Sequence, residues 1–153
     1  MKRFLLCLVL IVPFLLSAKP IAESSDEVTP LLNGQVIPDV DVTQINGKTT
    51  SLKEYLKGDK AILFFYRGGW CPFCNTQMGQ LKKIEPELKQ LGFKLVGIST
   101  DAPKDLSKSV ETMSLQYDLL SDYNSEISKA FGIAFFTDAK TTQRYVKRLN
   151  LTN

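Results

Sequence analysis

Two of the chain's three cysteines stand as Cys71-Pro72-Phe73-Cys74, and a thiol pair at that spacing can pass electrons in a way that neither thiol can alone. In a first helical turn, residues three apart lie about 5–6 Å apart at Cβ, so a slight adjustment suits them to a disulfide. Such a bond opens and closes with little backbone movement. Amide N–H groups left free at a helix start place partial positive charge beside Cys71 and favour its thiolate. Cys71 is therefore the expected nucleophile. Cys74 is the expected resolving thiol, which attacks the mixed disulfide and releases the product. Pro72 fits the first turn because the N–H it lacks would have had no helical partner. Trp70 borders Cys71 in a glycine-containing loop, where it can shield one side of the sulfur and contact a substrate. Arg67 is either a solvated loop charge or a group that holds a thiolate or an anionic substrate. All of this requires a sulfur that an incoming molecule can reach.

Other uses of the pair fit less well. A structural zinc site needs two further ligands, yet the chain has no histidine and no other cysteine beyond Cys7. A purely structural bridge across so small a loop constrains the unfolded chain only slightly. No metal and no cofactor is therefore expected. A net charge of +3 with scattered lysines describes a solvated surface and gives no argument for nucleic acid. At 153 residues, with 44% hydrophobic and 23% charged residues, the chain supports one domain with a real core.

The elements that must position the cysteines follow from pattern. Ala61-Ile62-Leu63-Phe64-Phe65-Tyr66 is an unbroken apolar run of strand length, which predicts a strand buried on both sides. Cys71, Cys74, Met78, Leu81, Ile84, Leu88 and Leu91 then recur every three or four residues on one helical face. Pro86 predicts a kink or break near Lys82 to Glu85, and Gly92 ends the helix. Phe93 to Ser99 is the next strand, so the two strands and their helix form a parallel βαβ unit. Upstream, Val36, Val40 and Val42 suggest a short edge strand, Asn46-Gly47 a tight turn, and Ser51-Leu52-Lys53-Glu54 a capping box. Downstream, the pattern predicts helices over Asp101 to Met113, Ser125 to Phe131 and Asp138 to Leu149, with a short strand at Tyr117 to Leu120.

The N-terminus belongs to another class. Lys2 and Arg3 precede an apolar run from Phe4 to Leu16, and small residues follow at Ser17-Ala18 and Ile21-Ala22. Residues 1–22 read as a secretory signal peptide, too short to span a bilayer comfortably, which predicts a periplasmic or secreted mature protein. Removing them leaves only Cys71 and Cys74, an even count in a compartment where disulfides persist. Residues 23–33 read as a linker, and 34–153 as the domain.

With these residues in hand, the chain resembles the thioredoxin-fold superfamily and, more closely, its AhpC/TSA peroxiredoxin-like branch. Phe65-Tyr66-Arg67-Gly68-Gly69-Trp70-Cys71-Pro72-Phe73-Cys74 is similar to that branch's signature, and Leu119-Leu120-Ser121-Asp122 and Ala130-Phe131-Gly132 are similar to its later landmarks. The resemblance implies an α/β fold with a central mixed sheet flanked by helices. It also implies reduction of hydroperoxides or disulfides at Cys71, with electrons from thioredoxin or another thiol donor. Two departures stand out. The proline and the threonine or serine that such proteins carry seven and three residues before the reactive cysteine are Phe64 and Gly68 here, and Cys-Pro-Phe-Cys resembles the centre of glutaredoxin-type disulfide reductases. The chain also has no proline after Pro103, so the cis-proline strand of the fold is not recognisable and the domain reads as C-terminally truncated. The Ala61–Tyr66 strand would then have an unpaired edge open to association. A thiol-disulfide oxidoreductase and a redox-inert interaction module are the alternatives to the peroxidase.

Overall fold

The computed structural model describes residues 21–149. Most of the expected signal peptide, residues 1–20 with Cys7 among them, lies outside the described residues. The described elements are β1 (Asp41–Gln44), β2 (Thr49–Ser51), α1 (Leu52–Leu56), β3 (Lys60–Phe65), α2 (Pro72–Gln90), β4 (Phe93–Ser99), α3 (Pro103–Met113), β5 (Asp118–Ser121), α4 (Glu126–Ala130) and α5 (Ala139–Leu149). They build a five-stranded mixed sheet in the order β2-β1-β5-β4-β3. Strands β3, β4 and β5 are parallel, while β1 runs antiparallel to both β5 and β2. No helix of the described residues is long and apolar enough to cross a membrane.

Strand alternation sends side chains to two cores. Leu95 and Leu119 face one side with Cys71, Cys74, Met78, Leu106 and Tyr117. Val96, Ile98 and Leu120 face the other with Val42, Leu52, Ile127 and Phe131. The aromatic run divides in the same way. Phe64 packs edge-on to Tyr117 at 5.8 Å between centroids, and Phe65 meets Phe131 at 5.2 Å. Met78, fully buried, ties the start of α2 to the sheet, and burial of such a side chain contributes about 1.5–3 kcal/mol.

Four expectations need correction. The early valines form no edge strand: β1 begins only at Asp41, after Pro38, and lies between β2 and β5. Pro38 has no N–H to give a ladder, and Val36 upstream of it is exposed. Strand β3 sends side chains into both cores, but they are half-buried rather than fully buried, because among the described residues it pairs with β4 alone and its other edge is open. Pro86 does not break α2, which runs unbroken from Pro72 to Gln90. The turn that loses its hydrogen bond is held by tertiary contacts instead: Leu81 and Leu88 pack on the core from either side of it, and Lys82 Nζ donates to the Met113 carbonyl at 2.8 Å. The buried stripe is Cys74, Met78, Leu81, Glu85 and Leu88, so Ile84 and Leu91 are exposed and Glu85 is inside, paired with Lys89 at 2.6 Å.

The segment read as a linker is tied to the domain. It contains a 3₁₀ turn at Ser25–Glu27. Ala22 bridges Phe135 in parallel, and the Thr29 amide donates to the Gly132 carbonyl at 2.9 Å. Backbone groups that leave α4 need partners, and this segment supplies them.

Helix α4 shows how a buried carboxylate anchors the far core. Asp122 is 1% exposed and accepts hydrogen bonds from the Ile127 amide at 2.8 Å, the Ser128 amide at 2.9 Å and the Ser128 hydroxyl. Removing the carboxylate leaves both amides of a helix start without partners. Asp122→Ala is expected to lower stability by about 2 kcal/mol in urea unfolding of the reduced protein. A loss indistinguishable from zero would show that α4 does not depend on this cap.

Candidate active site

The loop from Tyr66 to Cys71 joins the C-terminal end of β3 to α2, and both peptide groups of Gly69 in it are fixed from outside. Asp101 Oδ2 accepts from the Gly69 amide at 2.7 Å, and Asn75 Nδ2 donates to the Gly69 carbonyl at 2.9 Å. The loop also lies too close to its surroundings for larger residues. A Cβ on Gly69 would fall 2.4 Å from Ser109 Oγ, and Gly68, at φ +142°, would place one 2.6 Å from Asp101 Oδ1. The Cys71 amide then donates back to the Gly68 carbonyl at 3.1 Å, which closes the turn into the helix.

Cys71 is the residue that caps α2, with Pro72 in its first turn. Three donors converge on its sulfur: the Cys74 amide at 3.3 Å, the Cys74 thiol at 2.7 Å and Arg67 Nη2 at 3.2 Å. Both cysteines are free thiols here. Burial pushes the Cys71 thiol up, but the hydrogen bonds from Cys74 and Arg67, together with the guanidinium charge, outweigh it and leave the thiol below its ordinary value. Cys74 moves the other way, raised by burial and by the hydrogen bond it gives to Cys71. The same coupling raises Arg67: burial opposes its charge, and the bonds to the two cysteines overcome that. Burial pushes the neighbouring Tyr66 hydroxyl up to about 12, with Asp101 and Cys74 adding to the rise. Asp101 itself is raised by burial, and the Gly69 amide partly offsets that.

The structure brings together every residue singled out from the sequence. Arg67 lies on the Cys71 sulfur rather than free in solvent. Its guanidinium carbon is 5.6 Å from the Trp70 ring, and Pro72 is exposed at the helix mouth. Trp70, half-buried, also borders a cavity of about 400 Å³ that Asn75, Asp101, Ser109 and Met113 help to line. One expectation fails. Cys71 has no exposed surface and Cys74 is 9% exposed, so the sulfur is not open to an incoming molecule in this conformation. Arg67, itself exposed, lies on it.

Sequence reasoning missed Asp101, Asn75 and Tyr145. Asp101 had a usable signal, since loops that follow neighbouring parallel strands meet at one end of the sheet. Tyr145 had none. It comes 78 positions after Arg67, yet its hydroxyl accepts from Arg67 Nη1 at 2.6 Å. Among the described residues, no group of three or more His, Cys, Asp or Glu side chains is placed to hold a metal.

A cysteine pair at the strand-to-helix junction of this mixed sheet defines a thioredoxin-fold thiol protein. Residues 33–146 match the AhpC/TSA family, and the chain belongs to that family. It is 35% identical over 104 residues to a putative peroxiredoxin bcp of Haemophilus influenzae, covering 68% of this chain and 66% of that protein. Over the same span it is 32% identical to peroxiredoxin Bcp of Escherichia coli, again covering 66% of the relative. The chain thus spans just under two thirds of the length of these relatives. Among solved structures, peroxidoxin BcpB from Mycobacterium tuberculosis superposes with a TM-score of 0.60 at 27% identity, over 65% of this chain and 64% of that one. Reduced Prx3 from Vibrio vulnificus gives 0.63 at 20% identity, over 67% and 68%, and shares the fold.

The tight seating of Gly69 generates a rescue test. Gly69→Ala is expected to destabilise the protein by about 1–3 kcal/mol through overpacking, and adding Ser109→Ala, which removes the clashing oxygen, is expected to recover most of that loss in denaturant unfolding. A double variant no more stable than Gly69→Ala would place the strain elsewhere.

Proposed function

We propose that this protein is a thiol-dependent peroxidase in which Cys71 and Cys74 form the redox-active pair. The observation that carries this reading is the asymmetry between the sulfurs: three donors favour thiolate at Cys71, while its partner is held as a thiol. The Cys71 thiolate attacks a peroxide oxygen, the O–O bond breaks, and the alcohol or water leaves with a proton as Cys71 becomes a sulfenic acid. Cys74 then attacks the sulfenic sulfur, releasing water and closing the disulfide. Thioredoxin or another dithiol donor supplies two electrons and two protons to reopen it. Gly68 stands where related proteins carry a hydroxyl, so Arg67, whose Nη2 lies 3.2 Å from the Cys71 sulfur, takes the part of donor to the peroxide. With export directed by residues 1–22, the reaction belongs to an extracytoplasmic compartment. The open edge of β3 supports association by strand pairing.

Disulfide reduction is the second reading, and one observation favours it. Phe73, between the cysteines, is 80% exposed beside exposed Pro72, an apolar landing surface suited to a protein disulfide. Stopped-flow oxidation of the reduced protein separates the two. Hydrogen peroxide is expected to oxidise Cys71 far faster than a free thiol, Cys74→Ser to accumulate a sulfenic acid at Cys71, and Cys71→Ser to abolish turnover. Oxidation by peroxide at the rate of a free thiol, with fast exchange against a protein disulfide, would replace the peroxidase by the oxidoreductase. Inertness toward both would leave an interaction module.

A further inference from the structure

Helix α5 lies outside the sheet and carries one residue into the site. Its start is self-contained: Asp138 Oδ1 accepts from the Thr141 amide at 2.9 Å, and the Asp138 carbonyl accepts from the Thr142 amide at 2.9 Å. Apart from Thr142, whose hydroxyl donates to the Thr137 carbonyl just before the helix at 3.4 Å, the side-chain hydrogen bond and the ring contacts of α5 among the described residues pass through Tyr145. Its hydroxyl accepts from Arg67 Nη1 at 2.6 Å. Its ring centroid lies 5.4 Å from the guanidinium carbon of Arg67 and 5.9 Å from the Trp70 ring. The guanidinium therefore shares one cluster with the Trp70 and Tyr145 rings, with one terminal nitrogen bonded to Tyr145 and the other to the Cys71 sulfur.

That division matters because the group is planar and rigid. Arg67 is an exposed side chain on a glycine-rich loop, and an arginine gives up much rotamer freedom when it is held in one place. A single bond to a sulfur is a weak tether against that cost. Fixing the second nitrogen on Tyr145, with the Trp70 and Tyr145 rings packed beside the group, leaves the first nitrogen aimed at Cys71. The groups that act on the Cys71 sulfur are Arg67 from the loop and the amide and thiol of Cys74 from α2, so whatever fixes Arg67 acts on one of the three donors and on the one that carries a charge.

We infer that Tyr145 is a positioning residue that holds Arg67 against Cys71, so that α5 belongs to the active site and governs both the charge and the cover of the reactive sulfur. This rests on Cys71 being the nucleophile. When Tyr145 leaves, Arg67 is released into solvent, and the sulfur loses one stabilising donor while gaining an opening.

The test follows Cys71 alone, by mass spectrometry of its peptide after brief alkylation of the reduced full chain with iodoacetamide across pH. Tyr145→Phe keeps the ring and drops the hydroxyl; Tyr145→Ala drops both; Val146→Ala, a change at the next position of α5, is the control. The midpoint of the profile is expected to rise by about half a unit for Phe and about one unit for Ala, a roughly threefold and tenfold loss of thiolate below the midpoint, with Val146→Ala unchanged. Arg67→Met, which leaves every residue of α5 unchanged, is expected to raise it at least as far as Tyr145→Ala. A rise in Arg67→Met with none in either Tyr145 variant would overturn the positioning role and leave the proposed function standing. Preferential alkylation of Cys74 in the unaltered protein would remove the proposed function itself. Should Tyr145→Ala fail to fold, an unmoved midpoint in Tyr145→Phe together with an unchanged maximal rate would suffice to overturn the inference.

Discussion

Three hydrogen bonds onto one buried sulfur are the constraint around which this molecule is arranged. A thiolate removed from water costs several kcal/mol unless charge and donors replace its hydration, and Cys71 has no exposed surface. The replacement comes from the Cys74 amide at the start of α2, the Cys74 thiol and the Arg67 guanidinium. Each reaches the sulfur only if the loop before Cys71 takes one path. The Asp101 carboxylate and the Asn75 amide fix that path by holding the two sides of the Gly69 peptide.

The sheet supplies the frame for this. Strands β3, β4 and β5 run parallel, so the loop after β3 and the loop after β4 emerge at the same end, and Asp101 meets Gly69 there. Met78, Leu95, Leu106 and Tyr117 pack beneath the cysteines and hold α2 at its mouth. Further along α2, the Tyr117 hydroxyl donates to the Met78 carbonyl at 3.1 Å and Lys82 binds the end of α3. Core packing and loop geometry are in this sense one device, which presents a helix start to a sulfur on which Arg67 lies, with Trp70 and Tyr145 packed beside that arginine.

Much of this was legible in the residues. The run before Cys71, the capping box at Ser51 to Glu54 and the Gly92 stop all mark elements through local chemistry, and β3, α1 and α2 stand close to where that chemistry puts them. The pairing of Cys71 with Cys74 was local too. What escaped was set by partners far along the chain. Pro86 breaks an isolated helix, but α2 is held on both sides of it by the core. An apolar run reads as doubly buried whether or not a strand covers its edge, so β3 gave no sign of being half-buried. Glu85 is buried because the packed stripe of α2 passes through it, a placement that a charged residue does not announce. Tyr145 is an ordinary tyrosine on a polar helix, and only the return of α5 to the Arg67 loop gives it a place.

The central claim is that the two sulfurs differ in charge, and selective ¹³Cβ labelling of the cysteines measures it residue by residue. In the reduced protein, titration by NMR is expected to show the Cys71 resonance moving to its thiolate position below the ordinary thiol pKa of about 8.5, while Cys74 stays protonated to higher pH. Cys71 titrating at or above Cys74 would contradict the account.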